Sequence, residues 1–148
     1  MRLVFGSDHG GVVLRRHLVE IARELGHEVV AEFGAQDEDN SVDYSDVAVA
    51  VCREVTAVAD TLGVLVCGTG QGVAMAANRI PGIRAAVLSD PFSAAMSRAH
   101  NDANVLCLGG RVVGQGLARV LLVTFLDGGF EGGRHARRVA KLQALERG

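Results

Sequence analysis

Short runs rich in β-branched residues alternate along the chain with longer segments whose apolar residues recur at helical spacing. The runs cover residues 3–5, 28–31, 62–66, 84–88 and 104–108. After the first, Leu14, Leu18, Ile21 and Leu25 fall four, three and four residues apart, which lays one apolar stripe along a helix. Val47, Val51 and Val55 repeat the pattern, as do Leu117, Leu121 and Phe125. Strands that are apolar almost throughout, alternating with amphipathic helices, predict a parallel sheet covered on both faces. We therefore expect an α/β protein: a Rossmann-like three-layer α/β/α sandwich around five parallel strands, with residues 1–148 forming one domain. A last helix, about residues 134–146, carries Val139, Leu142 and Leu145 on one face, and no strand follows it. Its stripe can cover the chain's own core or dock on a second subunit, and we expect the second.

Composition narrows the function. With 49% hydrophobic and 22% charged residues the chain can bury a core and is not of the disordered class. A formal charge of −2, 4% aromatic residues and no Trp argue against a nucleic-acid surface. The apolar stretch around Val120–Leu122 falls far short of a membrane span, and the start of the chain turns polar too quickly for a signal peptide. Cys52, Cys67 and Cys107 lie far apart with no C-x-x-C pair, so neither a disulfide framework nor a metal cluster is expected. The expectation is a cytoplasmic protein without metal or other cofactor, with no nucleic-acid or membrane partner.

Glycine is the informative excess: 19 residues, eleven of them gathered at Gly10-Gly11, Gly68–Gly72, Gly109-Gly110, Gly128-Gly129 and Gly132-Gly133. In an open parallel sheet ligands bind beyond the carboxyl ends of the strands. Four loops are expected on that rim: Gly6-Ser7-Asp8-His9-Gly10-Gly11, Cys67-Gly68-Thr69-Gly70-Gln71-Gly72, Ser89-Asp90-Pro91 and Gly109-Gly110-Arg111. The second opens a helix and offers backbone N–H groups to an anion, although a tight turn would also account for its glycines. Its neighbour Cys67 should have a lowered pKa there, as a nucleophile or a general base needs, whereas Cys52 and Cys107 read as small buried hydrophobes. The nucleotide signatures G-x-G-x-x-G after the first strand and G-x-x-x-x-G-K-[S/T] are missing. His100 and Asn101 open a polar stretch running through Asp102 and Asn104 into the last strand, which a binding pocket would use. Asp8 could be a binding group beside His9, or a helix N-cap. Arg134 and Arg138, four apart, share a helix face and suit one phosphate, with a solvated basic face as the alternative.

At these residues the sequence resembles the ribose-5-phosphate isomerase B family and its galactose-6-phosphate isomerase relatives. The resemblance is carried by Gly6-x-Asp8-His9, Cys67-Gly68-Thr69-Gly70-x-Gly72, His100-Asn101, Gly110-Arg111 and Gly132-Gly133-Arg134-His135, and runs essentially from Leu3 to the last helix. It implies a metal-independent homodimer with shared active sites, one able to assemble further as a dimer of dimers. Cys67 would then be the base and His100 the acid, with Thr69 assisting ring opening. Asp8, His9, Gly68, Thr69, Gly70, Gln71, Gly72, Asn101, Arg111, Arg134 and Arg138 would form the substrate-binding set. One branch of the family lacks the cysteine and places a glutamate just after the glycine loop. Here that place holds Val73, so Cys67 has no substitute. In galactose-6-phosphate isomerases the functional groups are divided between two unlike subunits, whereas this chain carries both sets. The resemblance thus implies isomerisation of ribose 5-phosphate through an enediolate, with allose 6-phosphate, galactose 6-phosphate or a tetrose phosphate as alternative substrates. Gln71 and Tyr44 are loop residues that could set sugar length. A non-catalytic phosphosugar-binding module and a cysteine-nucleophile hydrolase are the rival classes.

Overall fold

The computed structural model describes residues 1–147. Five strands, β1 (Arg2–Ser7), β2 (Glu28–Gly34), β3 (Thr61–Cys67), β4 (Ala85–Val87) and β5 (Val105–Gly109), form one parallel sheet in the order β2-β1-β3-β5-β4. The intervening helices are α1 (Val12–Glu24), α2 (Tyr44–Ala57), α3 (Gln71–Ala77) and α4 (Pro91–Ala99), followed by α5 (Gln115–Asp127) and α6 (Arg134–Ala144). A 3₁₀ turn, Leu145–Arg147, follows α6. No helix among the described residues is long and apolar enough to cross a membrane.

The period-2 geometry of the strands divides the core in two. Leu3 and Phe5 of β1, Val64 and Val66 of β3, and Leu106 and Leu108 of β5 face one side, where α1 and α5 bury Leu18, Leu121 and Phe125. Val4, Leu65, Cys67, Val105 and Cys107 face the other, against Val47, Val51 and Val55 of α2 and Val73 and Ala77 of α3. This is the three-layer sandwich expected from the alternation.

Two helical stripes differ in detail. Leu25 lies just past α1 as its C-cap and is 42% exposed, because the helix ends one residue before the stripe does. In α5 the buried face is Ala118, Leu121, Leu122, Phe125 and Leu126, with Leu117 at its exposed margin. On α6 His135 and Val139 are buried, whereas Leu142 and Leu145 beyond it are 49% and 74% exposed.

The strand order sets where a ligand can sit. From β1 the chain crosses to β2 on one side, and from β3 it crosses to β4 on the other, so the connections diverge between β1 and β3. A crevice opens at such a switch point beyond the carboxyl ends of the strands. The loops carrying Asp8-His9 and Cys67-Gly68 flank it.

Candidate active site

Cys67 closes β3 on the switch-point rim and is nearly buried, at 5% exposure. The chain then turns through Gly70, which has φ +82° and caps α3. That turn aims the Gly70 N–H at Cys67 Sγ, 3.1 Å away. The loop after β5 is latched onto this one: Gly110 N–H donates to Cys67 O at 2.8 Å, and Arg111 N–H to Gly68 O at 3.0 Å. The guanidinium of Arg111 lies over Gly68, where an added Cβ would stand 3.2 Å from Nη1. Gly10 approaches from β1 just as closely, its Cβ position being 3.2 Å from Gly68 N. Three glycine-bearing loops therefore touch at Cys67 and Gly68, because residues lacking Cβ allow backbone-to-backbone approach.

Asp8 is buried, and its Oδ1 accepts the Gly10 N–H at 2.9 Å. It is not the cap of α1, a position held by Gly11 without a side-chain bond. Beside it, His9 Nδ1 is buried without a hydrogen-bond partner, a polar atom left for a ligand to satisfy. His9, Gly10, Glu38, Gly110 and Arg111 line a cleft of about 400 Å³. Thr69 and Gln71 are exposed at the loop's tip, where Thr69 Oγ1 accepts the Gln71 N–H at 3.3 Å. The Tyr44 ring rests on Gly72, whose added Cβ would meet ring carbons at 2.9–3.0 Å. The other two thiols have no such setting: burial pushes Cys52 up to about 12 and Cys107 well above its ordinary value.

The fourth rim loop plays a structural part. Asp90 caps α4, its Oδ1 accepting the Ser93 N–H at 2.7 Å, and that bond holds its carboxyl below the ordinary value. Helix α4 then runs back along the sheet and ends at His100, beside the amino ends of the strands, where Gly63 N–H of β3 donates to Asn104 O. Cys67 and His100 of one chain thus stand at opposite ends of the sheet.

His100 belongs to a second cluster. Its ring stacks on His135 with centroids 4.1 Å apart and planes 10° from parallel. Glu131 Oε2 lies 3.9 Å from His100 Nε2 and 3.6 Å from His135 Nε2. Burial lowers the pKa of His135, the charges of His100 and Arg134 add to this, and Glu131 opposes it. His100, Asn101, His135, Arg138, Val139 and Leu142 line a cleft of about 370 Å³. Arg134, Arg137 and Arg138 are all exposed on α6. Asp102 and Asn104 are engaged elsewhere, which corrects the expectation that a pocket uses the whole polar stretch. Asp102 pairs with Arg84 at 3.1 Å, and Asn104 Oδ1 accepts the Arg84 N–H at 2.8 Å, both fastening the start of β4.

The sequence pattern announced no ligand cluster, yet the fold brings the candidate ligand atoms of His100, Glu131 and His135 within 4.8 Å of one another. Parallel stacked imidazoles do not suit one ion, because their nitrogen lone pairs lie in separate planes while metal–nitrogen bonds are only about 2.0–2.1 Å. Glu131 and His135 were not singled out as site residues: Glu131 lies before α6, across Gly132 and Gly133 with positive φ, so no helical spacing pointed to the pair. Arg15 was also missed: buried in α1, its Nη1 donates to Ser7 Oγ at 2.8 Å and Phe33 O at 3.1 Å. It braces the ends of β1 and β2 behind Asp8, and a charged residue between Leu14 and Leu18 was the sign of it.

Comparison with known proteins agrees along the whole chain. A family model described as Ribose/Galactose Isomerase matches residues 3–142. The chain is 42% identical over 145 residues to ribose-5-phosphate isomerase B of Escherichia coli, covering 98% of this chain and 96% of that protein. The structure of ribose-5-phosphate isomerase B from Clostridium thermocellum superposes with a TM-score of 0.95 at 45% identity, covering 99% of this chain and 98% of that one. The Mycoplasma genitalium ribose-5-phosphate isomerase B with bound ribulose-5-phosphate gives a TM-score of 0.93 at 38% identity, covering 99% and 96%.

Proposed function

The chain belongs to the ribose/galactose isomerase family, and from that premise we propose that it interconverts ribose 5-phosphate and ribulose 5-phosphate through an enediolate. The observation that carries the reading is the sulfur of Cys67, held at a switch-point crevice with the Gly70 N–H 3.1 Å away. A donor aimed at sulfur suits a thiolate, and a thiolate is a competent base toward a carbon acid. Cys67 removes the proton from C2 and returns it at C1, while the hydroxyl proton passes from O2 to O1. The other backbone N–H groups of the 68–72 loop, with Gly70's turned to the sulfur and Gln71's to Thr69 Oγ1, face the developing oxyanion, and preorganised donors of this kind contribute about 3–4 kcal/mol each to lowering a barrier. Asp8, His9 and Arg111 bind the sugar phosphate from the neighbouring loops, with Asn101 of a second copy of the chain, beside its His100, on the opposite wall.

His100, assisted by Thr69, opens the furanose ring by moving a proton to the ring oxygen. Its position at the far end of the sheet from Cys67 supports a site completed by a second copy of the chain. The exposed Leu142 and Leu145 beyond the buried part of α6 suit such docking. In a two-fold dimer each site then joins Cys67 of one subunit to His100, Arg134 and Arg138 of the other. No step calls for a metal.

Two measurements test the reading. Across a panel of aldose phosphates (ribose 5-, allose 6-, galactose 6- and tetrose 4-phosphate), kcat/KM should be highest for ribose 5-phosphate, and a higher value for another sugar would reassign the substrate. Cys67→Ala should abolish turnover while substrate still binds. A variant keeping more than about a tenth of wild-type kcat, a loss below the roughly 10²-fold expected of a base, would remove Cys67 from that role.

A further inference from the structure

The His100–His135 stack is a pair of bases set against one carboxylate. Two protonated rings 4.1 Å apart would repel, so charging both at once is disfavoured. Its members sit at opposite helix poles. His100 closes α4, where unpaired carbonyls and the helix dipole favour a cation, and its side chain is 37% exposed. His135 is the second residue of α6, at the pole that disfavours a cation. It is also buried, with Arg134 and Arg138 on the same helix, and its pKa is lowered accordingly. Glu131 is fixed to the His100 helix by its N–H, which donates to Ala99 O at 3.0 Å. The nearby cation of α4, Arg98, is turned elsewhere, with its Nη1 2.6 Å from Ala103 O and 3.8 Å from Asp102.

From this arrangement we infer that Glu131 and His135 are positioning residues: the carboxylate, 3.9 Å from His100 and 3.6 Å from His135, holds a positive charge on the pair, and His135, buried at the pole that disfavours a cation, leaves that charge to His100 and holds its ring at the cleft as the acid for opening a furanose. The inference rests on His100 being the ring-opening group. It also defines a substrate class. Aldose phosphates that close into a furanose need the loaded acid. A tetrose 4-phosphate, whose O4 carries the phosphate, cannot close and does not.

The full-length enzyme tests this with imidazole ¹⁵N NMR across pH, on the wild type, Glu131→Gln and His135→Phe. In the wild type His100 should keep its proton to higher pH than His135, and Glu131→Gln should bring His100 to lose it at lower pH. On ribose 5-phosphate, Glu131→Gln should lower kcat about tenfold with KM within about twofold, and move the alkaline limb of the pH–rate profile to lower pH. Any tetrose 4-phosphate turnover should change less than about twofold. The inference is overturned if His135 keeps its proton to higher pH than His100, or if Glu131→Gln leaves both the His100 titration and the alkaline limb unmoved. Should His135→Phe fail to fold, Glu131→Gln decides alone, since that carboxylate is 59% exposed. If ribose 5-phosphate is not a substrate at all, the functional reading fails by itself, and the NMR titration still decides where the proton sits.

Discussion

Gly70 is where the chemistry of the loop and the stability of the fold meet in one residue, and Gly70→Ala perturbs both. Its φ of +82° lies in the left-handed region, which costs a residue with a Cβ about 1–2 kcal/mol. The added Cβ would stand 3.0 Å from Leu108 C and 3.2 Å from both Gly109 N and Leu108 O, all backbone atoms of β5 that cannot swing away. Overpacking of this kind costs about 1–3 kcal/mol. The smaller entropy of an unfolded chain with Ala in place of Gly offsets about 0.4–1 kcal/mol. The net loss is about 1–5 kcal/mol, or roughly 3–15 °C in Tm at about 3 °C per kcal/mol for a chain of this size. Gly116→Ala is the control: it lies in α5 with nothing within 4 Å of its Cβ position, so it should be neutral or gain up to about 1 kcal/mol. Thermal unfolding followed by circular dichroism, at equal protein concentration for all three chains, reads the effect. Because the Gly70 N–H faces Cys67 Sγ, kcat should fall with Tm in Gly70→Ala and hold in Gly116→Ala. A Gly70→Ala protein melting within about 1 °C of wild type, with Gly116→Ala no different, would refute the steric reasoning.

Arg138→Ala should lower kcat/KM for phosphorylated sugars by about 10- to 100-fold, from loss of a charge-assisted contact, and spare a non-phosphorylated sugar. An equal loss on both would remove the phosphate assignment. Turnover should survive exhaustive chelation, and loss rescued by one divalent ion would show the opposite. Mixing Cys67→Ala with His100→Ala chains should restore activity to roughly a quarter of wild type, because about half the dimers are hybrids with one intact site. Verified subunit exchange without any recovery would place both groups in the same chain's site.

Much of the fold was legible because strands and helices write their periods locally. All five runs lie in or against observed strands, and Leu14, Leu18 and Ile21 marked the buried face of α1, though Leu25 of the same stripe did not. Helix α4 left no such stripe, since its buried residues are Ala94, Ser97 and Ala99, too small and polar to stand out. The turn beside Cys67 was legible for the same local reason, since Gly68 and Gly70 follow it in sequence, whereas Gly10 and Gly110 reach it only through the sheet. What lay across the chain was not readable. Whether Asp102 and Asn104 serve a pocket or a strand depended on Arg84, brought to them by the pairing of β4 with β5. The stack of His100 on His135 joins residues 35 positions apart through the path of α5 and the loop after it, so no spacing rule anticipates it. The separation of Cys67 from His100 follows from helix direction in a parallel sheet: each connecting helix returns the chain to the amino ends of the strands. One-dimensional pattern thus determined which segments are strand, helix and glycine-rich loop, through interactions a few residues in range. Tertiary structure alone decided which ends of those segments meet, because the strand order that brings them together is set by packing over the whole chain.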